Sequence, residues 1–428
     1  MNANPITQAR QIHFIGIGGI GISALARLAL ETGKIVTGSD QSTSLITNEL
    51  ERLGAKIFIG HRAEQVGPGT DLVVYTIAVP DYNPELERAR ELGLTTISYP
   101  QALGLVSADK YTIAVSGTHG KTTTTAMIAK ILIAAGLDPT VIVGSLFKDS
   151  KSNFIQGKSD YLVVEACEYR RSFLNLSPKI LVITNIDNDH LDYFKDLNDI
   201  ESAFAELAGK LPADGALICD QKNERLSLAL AASRARVIDY SLVSSAQFNL
   251  LVPGEHNVWN AQAALAVAGV LKISPAIALG ALNKFSGTWR RFEYRGKSAR
   301  GAAIYDDYGH HPTEIKATLK VARERCRGKL WVIFQPHLYS RTKLLFNDFV
   351  GSFRDADEVI ITDIYAAREP IDPTVSAEIL ARAINRQGPP ARHLSDFKLI
   401  QEELNRLAGP EDLILTLGAG DVFLVEKE

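Results

Sequence analysis

The sequence predicts an α/β protein of three domains, each built on a mostly parallel sheet. Three observations carry that expectation. The chain has 428 residues, too many for one ordinary hydrophobic core. Short runs rich in Val, Ile and Leu alternate with longer segments of helical period, the pattern of parallel strands joined by crossover helices. Two glycine-rich stretches, "GIGGIGIS" at 16–23 and "GTHGKTTTT" at 117–125, each follow an apolar run and open a helix-like segment.

In chain order, the first domain is expected over 1–107, with strands in "IHFIGIG", "IVTGSD", "KIFIG", "DLVVYT" and "TTISY". A second is expected over 108–293, with strands in "DKYTIAVSGT", "TVIVGS", "DYLVVEA", "ILVITNI", "GALICD" and "ARVIDYS" and a helix around "VWNAQAALAVAGVL". The third, over 294–428, begins after "GTWRRFEY" at the charged joint "RGKSARG" and holds "AAIYDDY", "KLWVIFQ", "EVIITDI" and "DLILTLG".

Composition excludes several classes. With 46% hydrophobic and 22% charged residues the chain reads as a globular protein, and a net charge of -3 gives no reason to expect nucleic acid or an anionic membrane as partner. No apolar stretch approaches the roughly 20 residues that span a bilayer, and "MNANPITQAR" lacks a signal-peptide pattern. Cys167, Cys219 and Cys326 are too scattered for a disulfide framework or a zinc site, which suits a reducing, cytoplasmic setting.

Each glycine-rich turn is a phosphate cradle in outline. Gly16, Gly18, Gly19 and Gly21, with Ile20 and Ser23, would let backbone N–H groups at a helix start approach a diphosphate, and Asp40 in "VTGSD" stands where a carboxylate accepts from a ribose hydroxyl. A nicotinamide dehydrogenase would look the same over this window. The second turn is more specific: Gly117, Thr118, His119, Gly120, Lys121, Thr122 and Thr123 combine a helix start with the ammonium and hydroxyl that bind outer phosphates and magnesium of a nucleoside triphosphate. Val115 occupies the place of the first glycine in the longer Walker pattern. Glu165 after "YLVV", and the cluster Asp187, Asp189, His190 and Asp192 after "ILVITNI", should emerge at the carboxyl edge of the same sheet. Thr122 and Glu165 offer oxygen to a magnesium ion, whereas His190 is a softer ligand that could instead meet a metal-bound water or the substrate.

With "VEACEYRRSF", "TNIDNDHLD", "PGEHNVWNAQAALAVA", "GTWRRFE", "YDDYGHHPTEI" and "FQPHLYSRT" added in order, the chain resembles the Mur ligases, the ATP-dependent ligases of peptidoglycan precursors, over all three domains. The resemblance implies Rossmann-like first and third domains flanking a central P-loop-type ATPase domain. It implies that UDP-N-acetylmuramate sits on the first cradle and ATP on the second, and that the muramyl carboxylate becomes an acyl phosphate attacked by the amine of L-alanine. Lys121 would neutralise the transferring phosphoryl group, and Thr122, Glu165 and His190 would hold Mg2+. His256, Asn257 and Asn260 would lie beside the nucleotide, Arg291 would reach phosphate, Arg290 beside it would be solvated, and Asp307, rather than Asp306, would take the ribose of ATP. His310, His311, His337 and Arg341 would line the amino-acid site, the last gripping the alanine carboxylate bidentately. Cys167, Leu338 and Arg368 depart from the commonest family pattern, with Cys167 expected to pack as a small residue. A ligase that attaches whole peptides to UDP-N-acetylmuramate remains the nearest alternative, and the oligomeric state is left open.

Overall fold

A computed structural model describes residues 4–148, 151–367 and 369–426, so Arg368 lies outside the described residues. Two compact units account for the chain. The first comprises Met1–Ile186, Asn198–Asn249 and Trp259–Phe285, and the second Asp187–Leu197, Leu250–Val258 and Ser286–Glu428.

Two sheets organise the first unit. One contains β1 (Gln11–Ile15), β2 (Ile35–Asp40), β3 (Lys56–Ile59), β4 (Leu72–Tyr75) and β5 (Thr95–Ser98), all parallel in the order β3-β2-β1-β4-β5. The order reverses between β1 and β4, and an open parallel sheet leaves a crevice beyond the carboxyl ends of such strands. The other contains β6 (Tyr111–Ser116), β7 (Thr140–Ile142), β8 (Phe154–Ile155), β9 (Tyr161–Glu165), β10 (Ile180–Ile183), β11 (Ala216–Cys219) and β12 (Arg236–Asp239), in the order β12-β11-β10-β6-β9-β7-β8. Its pairs are parallel except β7 with β8. Strands β6 and β10 are buried almost end to end because both sheet faces are covered, which explains their predominantly apolar sequences.

The second unit has one sheet: β13 (Glu293–Lys297), β14 (Ala303–Asp307), β15 (Leu330–Phe334), β16 (Glu358–Ile361), β17 (Ala391–His393) and β18 (Leu413–Leu417), ordered β13-β14-β18-β15-β16-β17. Only β13 pairs antiparallel, onto β14. Along β15 the side chains alternate between two cores: Leu330, Val332 and Phe334 join Phe349 and Phe353 on one face, while Trp331 and Ile333 join Ile360 and Ile414 on the other. Among the described residues no helix is long and apolar enough to cross a membrane.

Candidate functional site

The first cradle leaves β1 at Gly16, whose φ of 76° and missing Cβ are both required, since a Cβ there would lie 2.4 Å from the Thr76 side chain. The N–H groups of Gly16 and Ile17 donate to the Ser39 carbonyl at 2.8 and 2.9 Å. Asp40, at the end of β2, accepts from the Gly18 N–H at 2.8 Å, so its carboxylate shapes the turn. Helix Ile20–Glu31 then starts at Gly19 with no side-chain cap and no acidic residue in its first turn. Its N–H groups and positive dipole end are left to an anion. Ser23 is buried and donates to Ile20, and Asn153 from the second sheet's hairpin donates to the Ile20 carbonyl and the Ser23 hydroxyl. Behind Asp40, the Ser39 hydroxyl donates to buried Glu85 at 2.6 Å, and His61 meets the same carboxylate oxygen at 2.9 Å.

Around the second cradle the packing is tighter. Gly117 (φ 129°) and Gly120 (φ 82°) bracket the turn after β6, and a Cβ on them would strike the Thr184 hydroxyl at 2.0 Å and the Asn260 side-chain oxygen at 2.5 Å. The Thr118 N–H donates to the Asn185 carbonyl at 3.0 Å and the His119 N–H to the Asn185 side chain at 2.9 Å. Thr184 donates to the His119 carbonyl at 2.6 Å, so "TN" in "TNIDND" clamps the loop. Helix Lys121–Ala134 has Gly120 as its uncapped start. Asn260 accepts from Thr124 at 3.1 Å, and Thr123 is buried in the same first turn.

Lys121 folds back over this loop. Its ammonium donates to the carbonyls of Gly117 (2.6 Å) and Thr118 (3.0 Å) and to Glu168 (3.0 Å), which is 2% exposed. Burial alone would lower the Lys121 pKa, but Glu168, with Cys167 and Glu165 beyond it, outweighs burial and raises it. Glu165, at the end of β9, accepts from the Thr122 hydroxyl at 2.9 Å and the Gly144 N–H at 2.7 Å. A hydroxyl and a carboxylate converging beside an uncapped helix start form an oxygen donor set of the kind a hard divalent cation prefers. His190, the third expected ligand, belongs to the second unit. Cys167 differs from expectation: it is exposed rather than packed away.

In the second unit one of the two neighbouring arginines departs from the sequence reading. Arg290, expected to be solvated, is 2% exposed and donates from Nε to Asp306 at 2.7 Å and from its other nitrogens to the carbonyls of Gly418 and Gly420 at 2.6 and 2.8 Å. Asp306 is itself buried and also accepts from Thr416, so this pair holds the ends of β14 and β18 together. Arg291 is half-buried over the Tyr308 ring, 3.8 Å from Glu314. Asp307 is buried and accepts from the N–H groups of Phe292 and Gly309, both at 2.7 Å. Burial pushes its carboxyl up to about 6 against the pull of Arg291. His256 is lowered by burial and by Arg291, while Asn257 donates to the Pro253 carbonyl at 2.6 Å.

His310, His337 and Arg341 converge around Asp189. Arg341 is 7% exposed, and its Nε and one terminal nitrogen donate to Asp189 Oδ1 at 3.1 and 2.7 Å while the other donates to His337 Nδ1 at 3.0 Å. The fork expected for an amino-acid carboxylate is thus engaged by Asp189. That carboxyl lies well below its ordinary range, burial being outweighed by His190, Arg341, His310 and His311. His310 packs 5.5 Å from the His337 ring and is pushed down to about 4, chiefly by burial and then by Arg341, so it is neutral at pH 7. Its Nδ1 lies 3.1 Å from the Tyr308 carbonyl and donates to it, which leaves the lone pair on Nε2. His311 serves as N-cap of helix Pro312–Arg325, with Nδ1 accepting from Thr313 and Nε2 donating to Asn188 at 2.8 Å. His190 (φ 54°) and Leu338 (φ 68°) are both strained, and both line a small cleft with Asp189, Leu191 and Arg341. The sequence reading overlooked Glu168, Thr184 and Asn185, though each lies inside a segment it had singled out.

Comparison with known proteins agrees along the whole chain. Family models described as "Mur ligase family, catalytic domain", "Mur ligase middle domain" and "Mur ligase, glutamate ligase domain" match residues 11–111, 115–249 and 290–420. A UDP-N-acetylmuramate--L-alanine ligase from Clostridium acetobutylicum is 41% identical, the match covering 97% of this chain and 96% of the relative. The crystal structure of a UDP-N-acetylmuramate-alanine ligase from Thermotoga maritima superposes with a TM-score of 0.80 at 29% identity, covering 97% of both chains. A murein peptide ligase from Psychrobacter arcticus superposes with a TM-score of 0.73 at 27% identity, covering 98% of this chain and 97% of its own. With three family models matched in order and a 41% identical relative matched over 97% of the chain, the chain belongs to the Mur ligase family.

Proposed function

We propose that the protein is an ATP-dependent ligase that joins L-alanine to the carboxylate of UDP-N-acetylmuramate in peptidoglycan precursor synthesis, acting in the cytoplasm. The observation that carries this reading is the pair of uncapped helix starts in one unit, only the second of which brings an ammonium, Lys121, and an oxygen donor pair, Thr122 and Glu165. A carboxylate has no leaving group to expel when an amine attacks. Phosphorylation supplies one, so ATP, acid and amine react in sequence to give UDP-N-acetylmuramoyl-L-alanine, ADP and phosphate.

In this reading Asp40 and the turn from Gly16 to Ser23 hold the UDP-sugar. Lys121 and the amides from Gly117 to Thr123 offset the charge on the transferring phosphoryl group by position and electrostatics. Thr122 and Glu165 would hold Mg2+, which when bound neutralises phosphate charge. Asn260, Asn257, His256, Arg291 and Asp307 are assigned to ATP. His310, His337 and Arg341 serve the amino acid, with Arg341 acting through His337 unless it leaves Asp189; His311 supports them as a helix cap.

The test is phosphate release from ATP and magnesium with UDP-N-acetylmuramate, with and without each amino acid. Release that depends on L-alanine supports the reading, and release indifferent to any amino acid refutes it. The likeness to a murein peptide ligase keeps a peptide acceptor as the second reading. Comparing L-alanine with a tripeptide as acceptor separates the two.

A further inference from the structure

Tyr99 is used by none of the roles above, yet it stands at the carboxyl edge of the first sheet, on the first residue of helix Tyr99–Ala108 and directly after β5. Its ring fills the place a side chain would take at Gly21: a Cβ there would lie 2.7 Å from Tyr99 Cζ and 2.8 Å from its hydroxyl. Gly21 does not adopt a positive φ, so the glycine is needed here to admit the phenol and not to make a turn. The hydroxyl is therefore set against the first turn of helix Ile20–Glu31, where a diphosphate would rest. Its electrostatic neighbours are Cys167 and Glu165, residues of the second cradle. A phenol with an ordinary pKa of about 10 is protonated at neutral pH, so the hydroxyl is a donor. Among the described residues no hydrogen bond engages that hydroxyl.

Tyr99 thus stands against the first cradle, where a diphosphate would rest, and has Glu165 of the second cradle among its electrostatic neighbours. Resting on the function proposed above, we propose that the Tyr99 hydroxyl donates a hydrogen bond to the N-acetylmuramoyl portion of UDP-N-acetylmuramate, between its diphosphate and its lactyl carboxylate. Tyr99 then distinguishes the nucleotide sugar from the bare nucleotide, a task that the glycine turn cannot perform because it meets only phosphate.

Calorimetry on the full chain with UDP and with UDP-N-acetylmuramate, for wild type and Tyr99→Phe, tests this. The phenylalanine ring keeps the packing over Gly21 and removes only the donor. The expected result is a roughly three- to tenfold loss of affinity for UDP-N-acetylmuramate, the size of one neutral hydrogen bond, with UDP binding unchanged. Equal weakening of both ligands would reduce Tyr99 to shaping the turn, and unchanged affinity for both would remove it from recognition; either outcome overturns the proposal. A wild-type chain that binds UDP but not UDP-N-acetylmuramate would instead refute the function on which the proposal rests.

Discussion

Replacing Lys121 by methionine separates two jobs that one ammonium performs. The side chain keeps its length and loses its charge, so the buried carboxylate of Glu168 loses its cationic partner and the carbonyls of Gly117 and Thr118 lose a donor. Removing one partner of a buried ion pair costs about 3–5 kcal/mol, because the other charge stays desolvated. Removing one charge stabiliser from a phosphoryl-transfer site should lower kcat by about 100- to 1000-fold. The double variant Lys121→Met/Glu168→Gln takes away the stranded charge and should regain much of the stability without regaining activity. Because the Lys121 pKa is raised, its stabilising contribution is present at every pH below the unfolded value and would be lost only in strong alkali, so the comparison can be made at neutral pH. Urea midpoints and phosphate release, measured on the same preparations, read the two effects. The reasoning fails if the double variant recovers turnover to within a few fold of wild type, since the ammonium would then serve only the fold of the loop.

Glu165→Gln should lower activity steeply and shift the magnesium dependence of phosphate release upward; an unaltered magnesium curve would count against the carboxylate as a ligand. Arg290→Met should destabilise the second unit by about 3–5 kcal/mol by stranding Asp306, visible as a lowered melting transition, whereas a neutral effect would contradict the buried pairing. The Asp307 carboxyl is raised to about 6, so the folded chain holds a proton that the unfolded chain releases near the ordinary value. Stability from this group is then highest in acid and falls by about 2–3 kcal/mol as pH rises through about 6; Asp307→Asn should flatten that slope in pH-dependent denaturation, and an unchanged slope refutes it. Arg341→Lys breaks the double contact with Asp189 and should raise the alanine Michaelis constant more than that of ATP, while equal rises would tie Arg341 to the nucleotide.

Much of the fold was legible because parallel strands covered on both faces read as near-continuous apolar runs. "YTIAVS", "ILVI" and "LWVIF" announce β6, β10 and β15 by that rule alone. The strands that escaped are edges. β13 reads "EYRGK" and carries a register irregularity between Tyr294 and Gly296, so it looks like a charged joint; β8 and β17 are two and three residues long. The phosphate turns were legible because glycine with positive φ is a requirement that sequence records directly. Partnership is not recorded in that way. Nothing in "WRRF" tells which arginine turns inward to Asp306, and nothing in "PHLYSRT" reveals that Asp189, far away in sequence, takes the Arg341 fork. Glu168 was missed for the same reason: its role exists only once the loop after β9 carries it onto Lys121.

The contrast between the cradles accounts for how one chain could sort two nucleotides. Both supply backbone N–H groups at an uncapped helix start, a device that attracts any phosphate. They differ in side-chain charge. The first has a carboxylate, Asp40, hydrogen-bonded to its loop and no lysine in the turn, so the helix start is the turn's own source of positive potential. That suits the diphosphate of a nucleotide sugar, whose charge is smaller than that of a triphosphate, and Asp40 disfavours a third phosphate nearby. The second adds an ammonium whose pKa is raised, and faces it with Glu165 and Thr122 at cation-binding distance from each other. A triphosphate needs that ammonium and would bring the cation with it. Removing both charges, by Asp40→Asn with Lys121→Met, should therefore cost ATP affinity heavily, with UDP-sugar binding weakened only by the exchange of a charged acceptor for a neutral one. If Asp40→Asn alone abolishes ATP binding while sparing the UDP-sugar, the assignment of the two cradles is reversed.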